Sequence, residues 1–366
     1  MKRTDISDNV LLAALTRPES IADLSVDEWD LLLRQARRTK VLGRLALAAR
    51  ECGLNGQLPE RVREHFAAAS AVAASHERSI FWEINRIERA LADLEIPIVL
   101  LKGAAYTVAH LPPARGRLVS DIDIMVPQEA LGLVEAALQR HGWEQVMLEP
   151  YDQRYFRSWM HELPPLRHRE RRTFVDVHHT ILPKTSRLRP DPQRLWESAK
   201  PLDQPLLYIL APTDMVLHSA AHLFHDGEIN LGIRDLADIN DLLVHFGEEQ
   251  GFWAGLVPRA LELDLVRPLF YALRYATRLL GTPLPADVMA AATVGAPPRP
   301  ILGLMDRLVP GTLVPGHPDR PGRSTGRATL LLYIRSHWLK MPPWLLITHL
   351  ATKALRRALS RRGSDT

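Results

Sequence analysis

Two aspartates separated by one residue, Asp121 and Asp123, have the type and spacing of a catalytic metal site. Residues 119–126 alternate polar and apolar side chains and are followed by a proline, which predicts a short, half-buried strand. Side chains two positions apart on a strand share a face, so both carboxylates point the same way. Close carboxylates repel unless a cation lies between them, and Mg²⁺ or Mn²⁺ prefers such oxygen ligands. The alternative is a solvated pair, or one that caps the next helix.

A third carboxylate comes from a second alternating segment, Phe174–His178. Its pattern predicts a strand in which Asp176 and His178 face one side and two valines face the other. If the two predicted strands are neighbours in a sheet, Asp176 completes a three-carboxylate site.

A phosphate-binding turn is predicted at Lys102 and Gly103. Residues 96–101 are strand formers, and residues 104–109 have the composition of a helix. A strand that enters a helix through glycine leaves backbone N–H groups pointing outward, and the N-terminus of a helix attracts anions.

Three segments carry a resemblance to a known family. They read Leu-Leu-Lys-Gly-Ala-Ala from residue 100, Arg-Leu-Val-Ser-Asp-Ile-Asp-Ile-Met-Val from residue 117 and Val-Asp-Val-His-His from residue 175. They resemble the bacterial family of largely uncharacterised nucleotidyltransferases related to the DNA polymerase beta superfamily. The superfamily usually has Gly-Gly or Gly-Ser where this chain has Gly103-Ala104, and its gap to the acid pair is shorter.

The resemblance extends to the flanking helices, so it covers nearly the whole chain. It rests there on Trp29, on Ala-Arg-Arg from residue 36, on Val-Leu from residue 41, on His218 with His222, and on Arg-Asp-Leu-Ala-Asp from residue 234.

The resemblance implies an α+β fold, in which a mixed-sheet nucleotidyltransferase core is flanked by N-terminal and C-terminal helical regions. It implies that Asp121, Asp123 and Asp176 are the catalytic and metal-binding residues. Nucleotide contacts are expected from Lys102, Gly103, Ala104, Arg117, Ser120 and His178. The implied reaction moves a nucleoside monophosphate from a nucleoside triphosphate, with ATP expected, to a hydroxyl acceptor and releases pyrophosphate. The acceptor is a small molecule, peptide or protein. The alternatives are a non-catalytic nucleotide-binding module and a toxin-like transferase acting on tRNA.

Length and composition indicate an ordinary globular protein: 366 residues, 46% hydrophobic and 24% charged. We predict a helical region over residues 1–95, the catalytic core over 96–185 and a second helical region over 186–366. A single cysteine excludes an internal disulfide and fits a reducing compartment. The sequence has neither a signal-peptide pattern nor an apolar stretch long enough to be a transmembrane segment, so we expect a cytoplasmic protein.

The charge distribution gives little support for nucleic-acid binding, because 46 basic residues exceed 42 acidic ones by only four. Residues 167–172 form a basic run that is either solvated or close enough to reach a triphosphate, and Arg115 has the same two readings. The tail over 353–362 carries five basic residues and no acid. As an amphipathic helix it would contact a membrane surface; docking of the terminal helix on the core is the expectation.

A helix predicted over residues 214–224 places His218, His222 and, nearly, His225 along one side. This is a zinc spacing, but the glutamate of zinc proteases is absent. We expect instead a buried polar cluster that supports the active site together with Arg234, Asp235 or Asp238. The aromatic residues Tyr151, Tyr155, Phe156 and Trp159 are expected to pack in the core; the alternative is a pocket that stacks the base or holds the acceptor.

Overall fold

The computed structural model describes residues 9–146, 153, 156, 159–226, 231–319 and 323–342. At its centre, the described part of the chain forms a seven-stranded mixed sheet in the order β3-β4-β5-β2-β1-β7-β6. The strands are β1 (Ile98–Leu100), β2 (Ile122–Met125), β3 (Trp143–Gln145), β4 (Leu166–His168), β5 (Phe174–His178), β6 (Lys200–Pro201) and β7 (Leu207–Ile209).

Strand β2 lies between β1 and β5, parallel to β5 and antiparallel to β1. Strand β1 in turn runs parallel to β7, whereas β3, β4 and β5 are joined by antiparallel pairs. The sheet therefore contains both parallel and antiparallel strand pairs, and helices precede and follow it along the chain. This confirms the predicted α+β class.

Strands β1 and β2, at the centre of the sheet, are buried along their whole length. Such strands read as apolar runs because both faces of the sheet are covered. Asp123 departs from this rule: it is only 5% exposed in the middle of β2, between Ile122 and Ile124. A carboxylate in that position requires polar partners.

Helices cover the sheet. In chain order they are α1 (Val10–Thr16), α2 (Val26–Arg38), α3 (Leu42–Glu51), α4 (Glu60–Leu91), α5 (Lys102–Val108), α6 (Leu131–Arg140), α7 (Pro192–Ser198), α8 (Pro212–Ala221), α9 (Gly232–Phe246), α10 (Phe252–Glu262), α11 (Val266–Tyr275), α12 (Ala286–Ala292), α13 (Arg299–Leu313) and α14 (Arg323–Lys340).

The N-terminal helices differ from the sequence prediction in their breaks. The apolar stripe over residues 27–49 favours one helix, but Lys40 adopts a left-handed φ of +58° and separates α2 from α3. Helix α2 begins at a capping box in which Ser25 and Glu28 bond to each other's backbone N–H groups. Helix α4, in contrast, continues without a break for 32 residues after Pro59.

The buried apolar side chains form two clusters. The larger one surrounds the sheet and extends from Ile80 in α4 to Leu332 in α14. The smaller one joins α1, α2, α3 and the start of α4, and it reaches Ile233 and Val314. Strands β6 and β7 add to the sheet from beyond residue 185, while the three-region division itself stays a prediction.

None of the helices in the described ranges is long and apolar enough to cross a membrane. The basic tail, Tyr151 and Tyr155 lie outside the described residues, whereas Phe156 and Trp159 are half-buried.

Candidate active site

The three predicted acids lie in one pocket. Strands β2 and β5 pair so that Asp123 is directly opposite Asp176, which puts both side chains on the same face of the sheet. Asp121 immediately precedes β2 and lines the same pocket. Its carboxylate accepts a hydrogen bond of 2.9 Å from the Oγ of Ser120.

Asp123 is held as an anion by two donors. Nε2 of His178 lies 3.0 Å from its Oδ1, and Nζ of Lys102 lies 3.2 Å from the same atom. Burial alone would raise the pKa of Asp123, but the charge of Lys102 and the hydrogen bond from His178 together lower it.

Asp176 has the opposite electrostatic environment. Its Oδ1 is buried and has no hydrogen-bond partner among the described residues. Burial and the negative charge of Asp123 raise the pKa of Asp176 to about 8. Asp176 therefore lies close to a second carboxylate and has one unsatisfied oxygen. A bound cation would balance both. The three carboxylates therefore fit a divalent cation with oxygen ligands.

The turn between β1 and α5 is built differently from the prediction. Lys102, not a glycine, takes the left-handed conformation there, with φ of +44°. Gly103 lies within α5 and lines the pocket, and a side chain at this position would meet the Nη1 of Arg117 and the methyl groups of Val119. Ala104 is fully buried and is not among the residues that line the pocket.

Arg117 reaches the pocket as part of an ion-pair network. Its Nε donates to Oδ2 of Asp238 at 2.8 Å, and Nη2 of Arg44 from α3 donates to Oδ1 of the same carboxylate at 2.7 Å. Asp241 is a second partner of Arg44. Helices from both flanking regions thereby fix the guanidinium of Arg117 over the ring of Tyr106.

The C-terminal helices supply further groups to the pocket wall. Arg234 and Asp235 form a buried ion pair of 2.7 Å at the start of α9. His222, at the end of α8, and Lys340, the last residue of α14, also line the pocket.

The sequence model of one protein family, described as "Uncharacterised nucleotidyltransferase", matches residues 25–281. The chain belongs to this family. The match confirms the resemblance seen in the sequence and supports nucleotidyl transfer as the general activity. It includes all three acids, Arg44 and the polar residues of α9. Among curated proteins and among solved structures, nothing matches the chain.

Several residues that line the pocket were not predicted from the sequence. His161 and Glu162 line the pocket because the segment before β4 pairs with β5, where Glu162 lies opposite His178 in an isolated bridge. Lys340 is more than 160 residues away in sequence from each of the acids, which it approaches only through the packing of α14.

His218 lies in α8, and His222 and His225 lie in the π-helical turn that follows it. Burial lowers the pKa of His218 to about 3 and lowers that of His222 well below its ordinary value, with the charge of Lys102 contributing to both. The Nε2 of His225 hydrogen-bonds the Oγ of Ser186 at 2.7 Å. Of the three, His222 lines the pocket.

The basic run before β5 does not reach the pocket. Arg171 forms a bidentate pair with Glu83 of α4, with bonds of 2.8 and 2.9 Å, and Arg167 lies over the ring of Phe174. Arg115 pairs with Glu51 at the surface. None of these three cations lines the pocket, which favours a structural role for them over contact with a triphosphate.

Proposed function

We propose that this protein is a metal-dependent nucleotidyltransferase that moves a nucleoside monophosphate from a nucleoside triphosphate, with ATP expected, to a hydroxyl acceptor. The observation that carries the proposal is the register of Asp123 opposite Asp176, with Asp121 in the same pocket. The unpartnered Oδ1 of Asp176 supports it, because an oxygen-ligated cation would satisfy that atom.

Asp121, Asp123 and Asp176 would hold Mg²⁺ or Mn²⁺. When bound, the cation supplies positive charge that neutralises the triphosphate and the oxygens of the reacting phosphate. Lys102 and His178 have a different role: both donate to one oxygen of Asp123 and keep its carboxylate ionised.

The remaining cations of the pocket favour a polyphosphate. Lys102, Arg117, Arg234 and Lys340 all line it, and guanidinium and ammonium groups form charge-assisted hydrogen bonds with phosphate oxygens. Arg117 lines the pocket and contacts Asp238 through Nε.

In the proposed reaction, the acceptor hydroxyl oxygen forms a bond to the α-phosphorus, the bond from that phosphorus to its β-bridging oxygen breaks, and pyrophosphate leaves. The proton of the hydroxyl passes to a carboxylate, for which we propose Asp176 because it lines the pocket beside the other two acids.

The test is Mg²⁺-dependent pyrophosphate release from each of the common ribonucleoside triphosphates, with a metabolite extract as the source of hydroxyl acceptors. We expect Asp123→Asn and Asp176→Asn to reduce the rate by about 10³-fold or more. Asp203→Asn, in the exposed turn before β7, is the matched control and should retain the parent rate. Triphosphate binding without any release by the parent protein would instead favour the non-catalytic nucleotide-binding module.

A further inference from the structure

We propose that His161, Glu162 and His178 form a second metal site in this protein, one that takes a transition-metal ion such as Zn²⁺. The site lies in the same pocket as the three aspartates but differs from them in chemistry, since two of its ligands are imidazoles. The proposal does not depend on the reaction that the pocket catalyses.

The ligand atoms are already close together. One from each of the three residues lies within 4.8 Å of the other two. Nδ1 of His178 is 3.4 Å from Oε2 of Glu162. Ligands about 2.0 to 2.1 Å from a tetrahedral zinc ion are separated by about 3.3 to 3.4 Å, so this pair already has the required spacing.

The backbone fixes two of the ligands. Glu162 lies opposite His178 in an antiparallel bridge, flanked by hydrogen bonds from Leu163 N to Val177 O (2.8 Å) and from His179 N to His161 O (2.9 Å). This is the non-hydrogen-bonded type of pair, in which opposite side chains approach most closely. The geometry is therefore set by the sheet and not by flexible loops.

Two buried nitrogens of this cluster lack a hydrogen-bond partner within the part of the chain that the structure describes: Nδ1 of His161 and Nδ1 of His178. His161 is 8% exposed and His178 is 2% exposed. Nε2 of His178 donates to Asp123, so its Nδ1 is the ring nitrogen that faces the oxygen of Glu162, 3.4 Å away. A buried nitrogen and a carboxylate oxygen at this spacing need either a shared proton or a metal ion between them.

Asp123 supports the proposed metal site without being one of its ligands. A metal-binding histidine usually donates its other ring N–H to a carboxylate, which fixes the tautomer and the ring orientation. The bond of 3.0 Å from His178 Nε2 to Asp123 Oδ1 has this form. Imidazole ligands favour zinc and its neighbours in the transition series over Mg²⁺, which prefers oxygen.

The competing explanation is a proton on Nδ1 of His178, which would bridge the same two groups. The experiment separates the two. The purified full-length protein is equilibrated with Zn²⁺ in the presence of a large excess of Mg²⁺, which occupies the oxygen ligands, and the zinc retained per chain is then measured by elemental mass spectrometry. We expect one Zn²⁺ per chain for the parent.

His161→Gln and Glu162→Gln should each weaken zinc binding by at least tenfold, whereas His225→Gln, which removes a buried histidine outside the cluster, should retain zinc like the parent. Circular dichroism checks that each variant is folded. Asp121→Asn should abolish pyrophosphate release yet retain zinc, so failure of the metal site and failure of the proposed reaction give different results. The proposal is wrong if the parent retains no zinc in excess Mg²⁺, or if both ligand variants retain as much as the parent.

Discussion

The ammonium group of Lys102 lies 3.2 Å from Oδ1 of Asp123, and the lysine reaches it from a left-handed backbone conformation with φ of +44°. That conformation costs a residue with a side chain about 1 to 2 kcal/mol. The lysine side chain is 20% exposed and the aspartate side chain is 7% exposed. An ion pair this deep in the pocket can offset the backbone cost, which explains why the corner before α5 holds lysine where glycine would be unstrained.

Replacing Lys102 tests this pair. Lys102→Met leaves the buried carboxylate of Asp123 with His178 as its remaining donor among the described residues, so we expect the free energy of unfolding to fall by about 2 to 3 kcal/mol. Urea unfolding monitored by circular dichroism measures the change. The double variant Lys102→Met with Asp123→Asn should recover part of the loss, because the unpaired charge is gone. Strictly additive effects of the two substitutions would contradict the inferred coupling.

A methyl group at Gly103 should disturb the pocket through Arg117. Gly103→Ala would place its Cβ against the guanidinium of Arg117 and about 3.0 Å from the methyl groups of Val119. Arg117 is held by Asp238 and cannot move freely, so we expect a loss of about 1 to 3 kcal/mol in stability and a raised KM for the triphosphate.

The matched control for Gly103→Ala is Gly132→Ala, which lies in α6 with open space where its Cβ would be. This substitution should leave KM unchanged and stabilise the helix by about 0.5 to 1 kcal/mol. Equal KM values for the two variants would show that Gly103 does not position Arg117 at the site.

Arg171 should matter for stability and not for catalysis. Its guanidinium binds both oxygens of Glu83, which is 1% exposed, and it lies 4.8 Å from the ring of Trp143. Arg171→Ala leaves a buried carboxylate with a weaker partner set, so we expect a loss of about 3 kcal/mol in the free energy of unfolding. The transfer rate measured below the melting temperature should stay near that of the parent.

The exposed neighbour Arg169 provides the comparison for Arg171. Arg169→Ala should change the unfolding free energy by no more than about 0.5 kcal/mol. A strong rise in KM for the triphosphate in Arg171→Ala, with stability unchanged, would restore the phosphate-binding reading of this basic run.

His225 should make the fold sensitive to acid. Burial, with the positive charges of Arg335 and Lys340, lowers the pKa of His225 to about 3 from an ordinary value of 6.5. The unfolded chain therefore binds this proton first as the pH falls, so the stabilisation is complete above pH 6.5 and is lost progressively toward pH 3. Between pH 7.5 and 5.5, one such histidine accounts for a loss of about 1.4 kcal/mol.

The measurement is urea unfolding of the parent and of His225→Gln at both pH values. The other buried histidines act in the same direction, so the informative quantity is the difference between the two proteins. We expect the variant to lose about 1.4 kcal/mol less than the parent over this interval. An identical loss in both would mean that His225 is already accessible to protons in the folded state.

The arrangement of the acids was predictable because it depends on the strand period. Asp121 and Asp123 are two residues apart, and Asp176 lies in an alternating segment whose bounds the structure reproduces without change, Phe174–His178. Alternation fixes which face a side chain occupies, whatever the rest of the fold does. The full length of helix α4 and the break at Lys40 were harder to predict, because a periodic apolar stripe can continue through a left-handed residue without any mark in the sequence.

The sequence by itself determined the family, the α+β class and the three candidate carboxylates, because these follow from local patterns and contiguous motifs. Only the tertiary structure decided which other groups meet them. His161, Glu162, Arg44 and Lys340 come from distant segments, and their approach to β2 and β5 depends on strand order and helix packing. Contacts of that kind arise when the whole chain closes around its core, so no short stretch of sequence encodes them.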